Sequence, residues 1–99
     1  MSFPFRRFPF HEPPNTACII CRHVLEEGKP ILSVCHYEDD GTWQFFCGLC
    51  EHTTEDARVA ALEEAWRMDR SLGALRDLPC GCFAMRDRRG GAWHTGYQS

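Results

Sequence analysis

Thr42-Trp43-Gln44-Phe45-Phe46-Cys47-Gly48-Leu49-Cys50 decides how this chain is read. In an extended strand successive side chains take opposite faces, so Trp43 and Phe45 share one face and Gln44 and Phe46 the other. The strand runs directly into Cys47-Gly48-Leu49-Cys50, a turn with two thiols two residues apart. A second such pair, Cys18-Ile19-Ile20-Cys21, lies upstream with 25 residues between the pairs. One stretch thus offers a large aromatic surface for a core and half of a tetrahedral metal site.

Working outward, Glu38-Asp39-Asp40-Gly41 reads as a hairpin turn, because Asp-Gly readily takes the backbone angles of a two-residue loop. Ile31 to Tyr37 is β-rich and short, which predicts a strand pairing with residues 42–47. Glu26-Glu27-Gly28-Lys29-Pro30 is a turn, and Ala17 to Val24 is read as a strand or a metal-binding knuckle. Downstream the period changes. Val59, Leu62 and Trp66 recur at three- and four-residue steps behind Thr53 and Thr54, which predicts an amphipathic helix from about 54 to 69. A short second helix is expected over Ser71 to Leu78, ended by Pro79, and a last strand over residues 80–85.

The flanks differ in kind. Residues 1–15 hold four prolines and the phenylalanines Phe3, Phe5, Phe8 and Phe10. Proline restricts itself and its predecessor, so a disordered arm is expected here. The four rings leave open that the arm docks on a partner or on the domain. A single domain is expected over 16–88, and 89–99 is read as a flexible tail in which Trp93 is the residue to be anchored.

The formal net charge is -3, and it is unevenly spread. Residues 15–85 carry six basic and twelve acidic side chains, whereas 86–99 is net +2. An acidic body lacks the basic face that phosphate backbones require, so no nucleic-acid partner is expected. No stretch has the length of a membrane span, and no apolar run like that of a secretory signal opens the chain. A soluble, cytoplasmic monomer is expected. Seven cysteines in such a compartment suit metal ligation better than structural disulfides.

The proposed ligands are Cys18, Cys21, Cys47 and Cys50, holding a structural zinc ion. Two short chelating loops on separate turns are what a closed tetrahedral site needs. His36, His52, Cys80 and Cys82 are alternatives for one of the four. Cys35, Cys80 and Cys82 are otherwise read as small core residues. No phosphate loop or paired-carboxylate motif is present, so no enzymatic activity is expected. The runner-up is a thiol-disulfide redox protein using Cys47 and Cys50, since that pair precedes the expected helix.

Several segments carry a resemblance: Cys21-Arg-His-Val-Leu25, Pro30-Ile-Leu32, Asp40-Gly-Thr-Trp-Gln-Phe-Phe-Cys-Gly48, His52, Asp56-Ala-Arg-Val59, Leu72 to Pro79 and Gly81. With them the chain resembles a family of small uncharacterised bacterial proteins, similar to immunity-type domains with a Gly-Trp-x-Phe-x-x-Gly strand. The resemblance covers roughly Ile19 to Trp93, and the chain departs from the family pattern in its cysteines. It implies a non-enzymatic interaction domain with an unidentified protein partner.

The fold expected is α+β: a small antiparallel sheet packed by one amphipathic helix and a short second helix, with a knuckle-like zinc site. Trp43, Phe45, Val59, Leu62, Trp66, Leu72 and Leu75 are its expected core.

Overall fold

The computed structural model describes residues 8–48 and 54–97. The chain forms strand β1 (Ala17–Cys21), helix α1 (Arg22–Glu27) and the strands β2 (Ser33–His36) and β3 (Trp43–Phe46). A 3-10 turn (Thr54–Asp56) then leads into β4 (Ala57–Ala61) and helix α2 (Leu62–Met68). A 3-10 segment (Arg70–Leu75) and the strands β5 (Cys82–Met85) and β6 (His94–Tyr97) complete it. The six strands make one sheet in the order β4-β1-β3-β2-β5-β6. All pairings are antiparallel except β1 with β3, where Ile19 faces Gln44 and Ile20 faces Phe45. The expected α+β class is therefore observed, with a larger sheet that contains one parallel pair. No helix among the described residues is long and apolar enough to cross a membrane.

The β2–β3 hairpin forms as the sequence predicts. Gly41 adopts φ 72°, the left-handed conformation that a residue without Cβ reaches at no cost. The Tyr37 N–H donates to Thr42 O at 2.9 Å, and Asp40 Oδ1 accepts from the Thr42 N–H at 3.0 Å. Along β3, Trp43 and Phe45 are buried while Gln44 and Phe46 are half-buried. Six of the seven expected core residues are buried: Trp43, Phe45, Leu62, Trp66, Leu72 and Leu75.

Val59 is the exception, being 74% exposed. It lies in β4, where a helix from 54 to 69 was expected. Residues 57–61 instead pair along their whole length with β1, Ala17 facing Ala61 and Cys21 facing Ala57. The reason is the demand of β1, whose Cys18, Ile20 and Cys21 are buried. A strand buried at mid-sheet needs hydrogen-bond partners on both sides, and that need outweighs the helix preference of three alanines. Helix α2 is left with seven residues. Its first amides are satisfied from outside: Leu62 and Glu63 N–H donate to the carbonyls of Thr16 and Pro14.

Three further differences bear on the site. The strand expected over 17–24 ends at Cys21, where α1 begins and runs to Gly28, its left-handed cap. Residues 8–15 lie within the expected arm and form no strand or helix, yet they pack on the domain. Phe10 is buried edge-on to Trp43 at 5.1 Å, and Phe8 stands edge-on to Trp66 at 5.7 Å. The Trp43 indole N–H donates to Glu12 Oε2 at 2.8 Å. Phe3 and Phe5 lie outside the described residues. In the expected tail, β6 pairs with β5 from His94–Met85 to Tyr97–Cys82. Trp93 packs against the core, with the Arg86 guanidinium 4.2 Å above its ring.

Arg86 is the buried polar centre of this half. It donates to Ile31 O at 3.0 Å, to Ser71 Oγ at 2.9 Å and to Asp69 Oδ2. Asp69 in turn accepts at Oδ1 from the Ser71 N–H and hydroxyl. Burial pushes the Asp69 carboxyl up, but the bonds from Ser71 and Arg86 outweigh it and hold the group below the ordinary carboxylate range.

Candidate metal centre

Strands β1 and β3 run side by side in the same direction and stop together, β1 at Cys21 and β3 at Phe46. Their ends carry Cys21 and Cys47. Helix α1 starts at that point and its second residue is His23. One sulfur from each cysteine and one ring nitrogen of His23 lie within 4.8 Å of one another. Both cysteines are fully buried and His23 is half-buried.

In a tetrahedral zinc site, Zn–S bonds of about 2.3 Å and Zn–N bonds of about 2.0 Å place donors roughly 3.5–3.8 Å apart. The donor atoms, all within 4.8 Å of one another, would have to draw somewhat closer around an ion. Two thiolates and an imidazole form a borderline-soft donor set that suits zinc better than the hard cations.

Local structure explains why the sulfur of Cys21 is held there. Backbone N–H groups of Val24 and Cys47 point at it. The Val24 amide belongs to the first turn of α1, whose N–H groups have no partner within the helix. Burial pushes the Cys21 thiol up, these two amides pull it down, and the neighbouring Cys47 thiol pushes it up again. The net direction is upward, the amides offsetting burial only in part, so an ion would have to displace the thiol proton on binding. Beyond Cys47 the chain turns at Gly48, with φ 69°. A Cβ at Gly48 would also come within 3.3 Å of the Leu32 Cβ, so this close turn favours glycine twice over.

The sequence-derived ligands fall into three groups. Cys21 and Cys47 converge. Cys50 and the alternative His52 lie outside the described residues. Cys18 stands in β1 facing Ala60 and is not in the converging group. A Cys-x-x-Cys pair chelates when it turns, but in a strand three residues span about 10 Å and point to opposite faces. Burial and the Glu64 carboxylate push the Cys18 thiol up to about 12, which keeps it protonated.

His36, Cys80 and Cys82 gather at the other end of the sheet. His36 pairs with Trp43 and Cys82, whereas Ser33 pairs with Phe46, beside the cluster. Cys82 is buried as a core residue, Cys35 is half-buried with its thiol pushed up by burial, and Cys80 is exposed rather than in the core. His23 was not singled out as a ligand from the sequence. The available signal was Cys21-x-His23, a spacing that converges only when the strand ends at Cys21 and the chain turns into a helix.

No family model, curated relative or solved structure matches the chain.

Proposed function

We propose that the chain is a non-catalytic interaction module whose fold is secured by one structural zinc ion. Cys21, His23 and Cys47 supply three ligands, and Cys50 or His52, three and five residues beyond Cys47, supplies the fourth. The observation that carries this reading is the convergence of two buried sulfurs and one ring nitrogen within 4.8 Å, where β1, β3 and α1 meet. A fourth protein ligand from Cys50 or His52 would close the coordination sphere, which is the arrangement of structural rather than catalytic sites. The ion would tie the first strand to the third and anchor the start of α1. The resemblance to immunity-type domains supports a role in binding a protein partner.

Native mass spectrometry with elemental analysis on protein purified without chelator or added metal tests the reading. One zinc per chain is expected, and a chelator should remove zinc and folding together. A metal-free, well-folded chain would overturn it. If that chain were also lighter by two hydrogens, and peptide mapping placed the disulfide between Cys47 and Cys50, the redox reading would take its place.

A further inference from the structure

The far end of the sheet holds a second constellation, Glu12, His36 and Cys80. His36 is buried and its ring stacks on Trp43 with centroids 3.9 Å apart. Its Nδ1 lies 2.7 Å from Leu78 O. A carbonyl can only accept, so Nδ1 carries the proton of this bond and the tautomer is fixed. The other nitrogen, Nε2, lies 3.6 Å from Cys80 Sγ and 3.6 Å from Glu12 Oε2. Oε2 also accepts from the Trp43 indole, while Oε1 of the same carboxylate is buried without a hydrogen-bond partner. The arrangement is thus an exposed thiol, an oriented imidazole that can take its proton, and a carboxylate beside the imidazolium so formed. A groove of about 290 Å³ is lined by Leu78, Pro79, Cys82, Thr95, Gly96 and Tyr97, of which Pro79 and Cys82 lie on either side of Cys80 in sequence.

We infer that Cys80 is a nucleophilic modification site that forms mixed disulfides with low-molecular-weight disulfides. The Cys80 proton passes to His36 Nε2, and the thiolate attacks one sulfur of the disulfide. A Cys80–sulfur bond forms and the original S–S bond breaks. The departing sulfur leaves with the electron pair and takes the proton from His36 Nε2. Cys80 is oxidised from thiol to disulfide and the released sulfur is reduced to a thiol, so no other reactant is needed. Trp43 and Leu78 are positioning residues, acting through Glu12 and His36.

The experiment is treatment of the full chain with glutathione disulfide, with the adduct located by peptide mass spectrometry. One adduct on Cys80 is expected, formed about tenfold or more faster in the folded protein than in the urea-unfolded chain. A thiol that is merely exposed would react no faster folded than unfolded. His36→Asn should bring the folded rate down to that of the unfolded chain, and Glu12→Gln should slow it several-fold while leaving Trp43 an acceptor. If His36→Asn fails to fold, the folded-to-unfolded ratio of the unaltered protein and the Glu12→Gln rate decide. An adduct on another cysteine, equal rates in the two states, or an unaltered rate in Glu12→Gln or in folded His36→Asn would overturn the inference.

Discussion

Cys18 and Cys21 are three residues apart in one strand, and their surroundings divide their roles. The first is a buried thiol beside Glu64; the second receives two backbone amides and sits within reach of Cys47 and His23. Replacing Cys21 or Cys47 by Ser should therefore abolish zinc retention and unfold the chain, because the binding energy of a structural site is folding energy. Replacing Cys18 by Ala should leave zinc at one per chain, with a lowered melting temperature from lost packing. Elemental analysis and thermal melts of the three variants test this, and loss of zinc in Cys18→Ala would return Cys18 to the ligand set. Two of the three residues in the described cluster, Cys21 and Cys47, were legible in the spacing of the cysteines. The rest was hidden because Cys-x-x-Cys has one meaning in a turn and another in a strand, and the boundary at Cys21 is set by contacts distant in sequence.

Among the elements, β4 and the Arg86 region show how tertiary demand reorganises local preference. Ala57-Arg-Val-Ala-Ala61 reads as helix by composition, and nothing inside it reveals that β1 lacks a partner on one side. The β2–β3 hairpin was legible because its signals are local: an Asp-Gly turn and alternation on both arms. Arg86 lies near the end of the expected domain with no local signal of its role, yet it is the buried hub that links β5 to Ile31, Asp69 and Ser71. Asp69→Asn should cost about 3 kcal/mol by leaving Arg86 without its charged partner, which urea denaturation can measure. The pH dependence has a definite sign. Asp69 titrates lower folded than unfolded, so its contribution is complete above the ordinary value of 3.8 and is lost as pH falls below it. Asp69→Asn should remove that part of the acid sensitivity. In the β5–β6 hairpin, a Cβ at Gly96 would stand 2.8 Å from the Phe83 ring on the facing strand. Gly96→Val should therefore destabilise the hairpin by about 1–3 kcal/mol, seen as faster amide exchange along β6 with β1–β3 unaffected.

Across the whole molecule, the proposed metal centre lies where the sheet's only parallel contact among the described residues ends, and β4 reaches the rest of the sheet through β1. As a chelator withdraws the ion and before the chain unfolds throughout, amide exchange should rise first in β1 and β4 and last in the β2–β5 ladder. Exchange that rises uniformly would mean that the ion does not act through the β1–β3 contact. The sheet order has another consequence, for the chain as it is made. β1 is the first of the described strands to be synthesised, yet it is flanked by β3 and β4 and cannot be paired on both sides until residue 61 has been added. At about 5–20 residues per second, the forty residues from 21 to 61 take roughly 2–8 s. For that interval Cys18-Ile19-Ile20-Cys21 is an adhesive strand with an open edge, so the nascent chain is most exposed to aggregation, and to capture by chaperones, while its later strands are still being made.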